Sequence, residues 1–404
     1  MKLHNQYSKY FDEYKERYGK DIFVEYKTET DESRKEELID WIFCLFRSKN
    51  EIPVVQFTES QSLQELVKLS NTDNCSVYHD GSYWFNNTCV TLLLSFFPEI
   101  FNVQKGAGRS HPSVRYYFND DYMLRKTIRK VLTYGNSELD FLGWIRLCGA
   151  GFCSNFRPAT AKAIYELFGK KENCRVFDSS AGYGARLLGA YFSSNVVEYI
   201  GIDPNTADSC MGLVEYLRNT IYSSKIIEVL KMGSEDFTKE NFPQYENYFD
   251  LYFTSPPYFD TERYSDDETQ SYKKFPTYAE WVKGFYQSTI NNACDALKRD
   301  GIFIINIFEK VPKIKELTKL FLANNGWYVF KEDKYMLRTV PGSKHRLDED
   351  GNPELMDTTI GNNYEPIWYA KHYTELYKEG LITEDMFHEY MIRDNRGNKN
   401  YEVI

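Results

Sequence analysis

A doubly wound α/β fold on a mostly parallel sheet is predicted for residues 146–370, and three observations predict it. From residue 159 onward, short apolar runs alternate with helical stretches at the spacing of β-α units. The first run, Arg175-Val176-Phe177-Asp178, opens directly onto a turn holding Gly182 and Gly184. Two polar insertions, near 259–276 and 338–363, both follow strand ends, where such sheets carry their binding loops.

The elements follow in order. Ala159 to Phe168 reads as a helix closed by Gly169, and Arg175 to Asp178 as a short buried strand. A helix from Ala185 to Phe192 leads to a second strand, Val196 to Asp203, and a helix over 207–220 to a third, Ile226 to Leu230. Phe249 to Thr254 is the fourth strand and stops at Ser255-Pro256-Pro257-Tyr258, because proline has no amide to give a central strand. A helix over 277–298 precedes the most apolar strand, Gly301 to Phe308. A helix from Lys313 to Asn324 and two late strands, Trp327 to Phe330 and Tyr364 to Ala370, bring the strands to seven. Residues 371–404 read as two short helices and a polar tail. Residues 1–145 read as a separate, largely helical domain: Glu and Lys are dense through residue 40, and apolar stretches such as Trp41 to Phe46 and Val90 to Leu94 follow.

At 404 residues the chain exceeds one ordinary domain. A composition 42% hydrophobic and 27% charged is that of a globular protein. No run of 18 apolar residues exists and the N-terminus lacks the apolar segment of a signal peptide, so no membrane association is expected. Eight cysteines occur without a Cys-x-x-Cys pair and six histidines are dispersed, which suggests neither a disulfide framework nor a zinc site and leaves a cytoplasmic protein with reduced thiols as the expectation. The net charge of −10 opposes a surface that is everywhere adapted to nucleic acid. Locally the balance differs. Between Lys105 and Lys130 stand Arg109, Arg115, Arg125, Lys126 and Arg129, with Tyr116, Tyr117, Phe118 and Tyr122 interleaved. Either this is a solvated helix face, or Arg109, Arg115, Arg125 and Arg129 contact phosphates with aromatic support.

Two segments carry chemistry. In Asp178-Ser179-Ser180-Ala181-Gly182-Tyr183-Gly184 the glycines permit a tight turn and close approach of the backbone to a ligand. Asp203 ends the next strand, where an acidic side chain holds ribose hydroxyls in nucleotide-binding folds, and Glu235 and Asp236 follow the third strand, placed to accept from an adenine amino group. Ala185-Arg186 after Gly184 excludes a P-loop, and Leu187 disfavours a dinucleotide fingerprint. The second segment is Ser255-Pro256-Pro257-Tyr258. Its prolines remove amide donors and leave acceptors, namely the Ser255 hydroxyl and the carbonyls of Ser255 and Pro256, beside the Tyr258 ring. Such a loop suits a planar NH2 group: two acceptors hold its N–H bonds and favour a more tetrahedral nitrogen with a usable lone pair. A base presented this way must leave its helix.

The order and spacing resemble those of class I S-adenosylmethionine-dependent methyltransferases, and Ser-Pro-Pro-Tyr is similar to the catalytic tetrapeptide of DNA amino-methyltransferases. Upstream, Asn155-Phe156-Arg157-Pro158 resembles that family's Phe-Thr-Pro cofactor segment, with Arg157 in place of the Thr. The resemblance covers roughly residues 150–370 and implies a seven-stranded, Rossmann-like methyltransferase sheet with S-adenosyl-L-methionine as cofactor. It implies that Phe156 and Pro158 support the cofactor, that Asp178, Gly182 and Gly184 line its methionine part, that Asp203 binds the ribose, and that Glu235 or Asp236 binds the adenine, with Phe237 over the ring. Ser255, Pro256, Pro257 and Tyr258 would act on a base flipped from double-stranded DNA. Serine in first position leans towards cytosine N4 over adenine N6. RNA bases and protein glutamine amides present the same planar NH2 and remain alternatives, as does a module that binds nucleic acid or a partner without catalysis. Ser179 and Tyr183 depart from the family's usual Asp-Pro-Phe-Ala-Gly-Ser-Gly, and the absence of a Pro-Cys dipeptide opposes cytosine-C5 chemistry. Target recognition is expected in residues 1–145, with a second contact from Lys344 and Arg346, beside Arg338 and His345, in the 338–363 insertion.

Overall fold

A computed structural model describes residues 3–105, 111–307, 311–337 and 364–395. The chain forms two compact units, and each draws on separated stretches of sequence. One comprises Met1–Lys68, Thr88–Asn155 and Phe259–Lys273; the other comprises Leu69–Asn87, Phe156–Tyr258 and Lys274–Ile404.

The second unit is built on a nine-stranded sheet: β1 (Tyr78–His79), β2 (Ser82–Tyr83), β3 (Cys174–Asp178), β4 (Val196–Ile202), β5 (Ile226–Leu230), β6 (Phe249–Thr254), β7 (Leu297–Asn306), β8 (Trp327–Met336) and β9 (Tyr364–His372), in spatial order β1-β2-β8-β9-β7-β6-β3-β4-β5. Strands β5, β4, β3, β6 and β7 run parallel, while β9 is antiparallel to both of its neighbours, β7 and β8. Parallel strands are covered on both faces. Every residue of β6 is accordingly buried, as are Val176, Phe177 and Asp178 of β3. The helices are α1 (Pro158–Phe168), α2 (Ala185–Phe192), α3 (Ala207–Thr220), α4 (Ser288–Ala296), α5 (Ile314–Ala323), α6 (Tyr373–Lys378) and α7 (Glu384–Asn395). The seven strands of the doubly wound, mostly parallel core are thus β3 to β9.

Four features differ from the sequence expectation. The hairpin β1-β2 comes from residues assigned to the N-terminal domain, yet β2 pairs parallel with β8, Ser82 with Lys334 and Tyr83 with Tyr335, which carries Leu69–Asn87 into the second unit. The expected boundary at residue 145 lies instead after Asn155, because Gly151 N–H donates to Pro112 O at 2.7 Å and ties that stretch to the first unit. The 259–276 insertion also contributes to the first unit, through an antiparallel ladder pairing Glu262 with Lys105 and Arg263 with Gln104. Within the helix expected over 277–298, residues Trp281–Gln287 form a π-helical stretch before α4.

Helix α1 begins at Pro158, whose missing N–H costs nothing at a first helical position. It packs directly on α2 where Gly189 lies: a Cβ there would come within 2.6 Å of the Ala161 Cβ and 2.7 Å of the Lys162 N. Gly189→Ala therefore has to push apart two helices that flank the glycine turn. A loss of about 1–3 kcal/mol in stability is expected from such overpacking, read as a lower midpoint in denaturant unfolding; an unchanged midpoint would show that the helices separate freely.

At the other end of the unit, His372 is the buried last residue of β9 and caps α6, its Nδ1 accepting from Thr374 N–H at 3.4 Å. Burial, reinforced by the Arg299 charge, lowers its pKa to about 4 from an ordinary 6.5. Between those values the unfolded chain binds more protons than the folded one, so stability is complete above about pH 6.5 and falls as the pH drops towards 4. At pH 5 the loss from this group is about 2 kcal/mol. Denaturant unfolding at pH 7 and pH 5 should show that decrease, and His372→Gln should lack it; equal pH slopes in the two proteins would refute the assignment.

The first unit is largely helical, with helices at Ser8–Tyr18, Ile22–Thr28, Glu32–Lys49, Asp121–Tyr134 and Phe141–Leu147 among others. Its core is aromatic: Phe11 stacks on Phe23 at 5.7 Å, and Phe46 meets Phe141 edge-on at 4.8 Å. Buried Asn5, Ser8 and Glu138 satisfy one another, Ser8 Oγ donating to Glu138 Oε1 at 2.7 Å. Among the described residues no helix is long and apolar enough to cross a membrane.

Candidate active site

The parallel strands bring their C-terminal ends to one edge of the sheet, and the segments singled out by sequence leave that edge. Adjacent parallel pairing of β3 and β6, Val176 with Leu251 and Phe177 with Tyr252, sets the glycine turn beside the Ser-Pro-Pro-Tyr loop. Gly182 (φ 58°) and Gly184 (φ 71°) occupy the left-handed region, where a side chain is strained, and Gly184 is the N-cap of α2. Gly182 N–H donates to Asp203 Oδ2 at 3.0 Å, while Thr206 Oγ1 donates to Gly182 O at 2.5 Å.

Asp178 is placed differently from the resemblance's expectation. It is fully buried, and all four of its acceptor positions are taken: Arg186 Nε and Tyr199 OH on Oδ2, each at 2.7 Å, and Ser180 N–H and Thr254 Oγ1 on Oδ1, each at 3.1 Å. Burial works against the charge of Arg186, but the adjoining Asp178 carboxylate and the Tyr199 phenol hold its pKa above the ordinary range. Tyr199, buried beside that carboxylate, has its pKa well raised and stays a neutral donor. Asp178 therefore shapes the turn from within instead of lining an open site. Ser179 completes the brace, its Oγ 2.7 Å from Tyr252 OH and donating to Thr254 Oγ1 at 3.3 Å. This accounts for a serine where the family usually has proline.

Asp203 is half-buried. Its Oδ1 accepts from Asn205 and Thr206 N–H, each at 2.9 Å, its Oδ2 accepts from Gly182 N–H, and the Thr206 hydroxyl also bonds the carboxylate. Burial raises its pKa against the lowering effect of those three amides. Glu235 and Asp236 follow β5 on the same edge, but Lys274 engages both, bonding Glu235 Oε1 and lying 3.1 Å from Asp236 Oδ2. Burial opposes the Lys274 charge, and the two carboxylates together raise its pKa. Phe237 does not cover a ligand ring. It is core, stacked on Phe177 at 4.7 Å, Phe242 at 4.7 Å and Tyr245 at 5.6 Å.

Phe156 lies parallel to Tyr335 at 4.4 Å and edge-on to Phe253 at 5.4 Å. Arg157 is buried, and its backbone N and Nε both donate to Tyr335 OH, at 3.1 and 3.0 Å. Its Nη1 donates to Trp84 O at 3.4 Å and its Nη2 to Met336 O. The arginine that replaces the family's threonine thus clamps the segment before α1 to β8.

Ser255 and Pro257 are half-buried and Pro256 buried. Among the described residues, neither the Ser255 hydroxyl nor the carbonyls of Ser255 and Pro256 accept a hydrogen bond. Tyr258, 8% exposed, donates to Asn306 O at 2.8 Å and so pins the loop's end to β7.

Of the cations expected to meet nucleic acid, Arg109, Lys344 and Arg346 lie outside the described residues. Arg125 and Arg129 form ion pairs with Asp40 and Glu36, the latter at 2.5 Å. Arg115 has no carboxylate partner among the described residues, and partial burial lowers its pKa. Sequence reasoning missed Arg186, Tyr199, Lys274 and Tyr335; of these only Arg186, directly after the glycine turn, was within reach of a motif argument.

No protein-family profile and no curated protein matches the chain. Among solved structures, TrmN from Thermus thermophilus aligns at 14% identity over 53% of this chain and 48% of its own, with a TM-score of 0.34. The branched-chain polyamine synthase from Thermus thermophilus, in complex with N4-aminopropylspermidine and 5'-methylthioadenosine, aligns at 11% identity over 53% of this chain and 55% of its own, with a TM-score of 0.34. Precorrin-6y C5,15-methyltransferase from Geobacter metallireducens aligns at 13% identity over 53% and 86%, with a TM-score of 0.32. The chain spans about half the length of the first two.

Proposed function

We propose that this protein is an S-adenosylmethionine-dependent methyltransferase acting on an exocyclic amino group of DNA, cytosine N4 ahead of adenine N6. The observation that carries the reading is the set of three acceptors in Ser255 and Pro256, which take no hydrogen bond among the described residues and lie at the sheet edge beside the glycine turn. A loop whose prolines bring acceptors and no amide donors of their own suits a ligand that brings N–H groups.

The residues at that edge fit the cofactor. The left-handed turn at Gly182 and Gly184 leads straight into the N-terminus of α2, and the Asp203 carboxylate stands beside it on Gly182 N–H, where a ribose hydroxyl would be held. When bound, the cofactor supplies an electrophilic methyl group on a sulfonium centre. Ser255 and Pro256 hold the two N–H bonds of the target and direct its nitrogen lone pair. Held in this way, the target nitrogen would take the methyl group that the cofactor would supply and then release a proton to water. No general base is needed before attack, which agrees with a loop that carries acceptors but no carboxylate or imidazole. Because Tyr258 is mostly covered, base entry requires its ring to be uncovered first.

A second reading keeps the chemistry and changes the carrier to an RNA base or a protein glutamine amide, and the net charge of −10 fits the protein substrate better than a nucleic acid. Incubation with methyl-labelled cofactor and matched duplex DNA, RNA and protein fractions, followed by nucleoside and peptide analysis, separates the carriers. Label in N4-methylcytosine is the expected result. No label in any fraction, together with no saturable cofactor binding by calorimetry, would sink the enzyme reading and leave a binding module.

A further inference from the structure

The helix Asp121–Tyr134 of the first unit divides its charges between two faces. Leu124, Thr127, Ile128, Val131 and Leu132 are buried. Beside them Arg125 and Arg129 are paired with Asp40 and Glu36. On the opposite side Tyr122, Lys126, Lys130 and Tyr134 recur every fourth residue and so form one stripe. Both tyrosines are unusually exposed, Tyr122 at 71% and Tyr134 at 61%, and both lysines are exposed with no carboxylate partner among the described residues. Tyr134 is held flat against Trp144, ring centroids 5.6 Å apart and 21° from parallel, with the Lys130 Nζ 5.3 Å from its centre. Each exposed ring alone is ordinary; what sets this face apart is that two of them flank two lysines that have no acidic partner among the described residues.

The geometry points to this stripe as a binding surface for a single nucleic-acid strand, with Lys126 and Lys130 on the phosphates and Tyr122 and Tyr134 stacking on bases. The inference rests on the nucleic-acid part of the reading above and not on methyl transfer. Charge complementarity selects the occupant: unpaired cations between exposed rings suit a polyanion whose bases are accessible, whereas a duplex hides its base faces. The lysines lie about 6 Å apart along the axis, and the stripe spans about 18 Å, the length of roughly five stacked nucleotides. The arginines that dominate the sequence in this stretch act differently, holding the helix to its own unit.

The test is fluorescence anisotropy of the full chain, without cofactor, with a labelled single strand of about twelve nucleotides and its duplex, between about 50 and 200 mM salt. The wild-type protein is expected to bind the strand more tightly than the duplex. Lys126→Gln with Lys130→Gln should make the slope of log K against log salt shallower by about 1.4, since each strand contact contributes about 0.7. Tyr122→Ala with Tyr134→Ala should weaken binding about tenfold or more while leaving that slope unchanged. All four side chains are exposed, so circular dichroism melting should match wild type in both variants. Absence of strand binding by wild type, a preference for duplex, or an unchanged affinity in either variant pair overturns the inference. Methyl transfer with strand binding lost to all of these tests would leave the enzyme reading standing alone; strand binding as described, without any methylated product, would do the reverse.

Discussion

Tyr258→Ala is expected to lower the methyl-transfer rate about a hundredfold at saturating cofactor. Two losses combine. Under the proposed function the ring, once uncovered, would be the surface on which the target base stacks, a contact that alanine substitution generally values at about 1–3 kcal/mol. The hydroxyl anchors the end of the Ser-Pro-Pro-Tyr loop to β7 through Asn306 O at 2.8 Å, and a hydrogen bond of this kind contributes about 0.5–1.5 kcal/mol. Tyr258→Phe keeps the ring and gives up only the anchor, so it should cost less than about tenfold. Cofactor affinity by calorimetry should be the same in both variants, because neither loss falls on the glycine turn. Full activity in Tyr258→Ala would remove the loop from the mechanism. A loss of cofactor affinity instead would relocate the ring's role to the cofactor side.

Asp178→Asn should destabilise the protein by about 3–5 kcal/mol, the usual consequence of leaving one half of a buried ion pair alone. Arg186 is buried with it, and the partnership is with a carboxylate that accepts four hydrogen bonds at once. For a unit of this size the melting midpoint should fall by roughly 10 °C. Arg186→Met should do comparable damage. The double variant Asp178→Asn/Arg186→Met should cost less than the two single losses added, since each single change strands the other's polar group. Thermal melting by circular dichroism reads all three. A single variant melting within about 2 °C of wild type would mean that the pair is open to water and that Asp178 is free to meet a ligand after all.

Serine for proline at position 179 and arginine for threonine at position 157 look like weaknesses in the motifs when read along the chain. In the folded protein each is a support. Ser179 joins Tyr252 and Thr254 under the glycine turn, and Arg157 locks the segment before α1 to Tyr335. Neither role has a local signature, because the partners lie 73 to 178 residues away.

Local periodicity and turn chemistry carried the strand–helix alternation of β3 to β9, since buried parallel strands must be apolar throughout and the helices between them must show one apolar side. The same local rules placed the glycine turn and ended β6 at the double proline. What those rules do not contain is the choice of partner for a charged or aromatic side chain. Asp178 and Arg186, Lys274 and the Glu235–Asp236 pair, Phe237 among core rings, and Arg125 and Arg129 on Asp40 and Glu36 were all decided by which surfaces the fold brought together. The entry of β1 and β2 into the second unit was decided in the same way, by a two-residue pairing with β8. Element type follows from the chemistry of neighbouring residues, whereas partnership follows from burial: a charge removed from water must find its opposite wherever in the chain it lies.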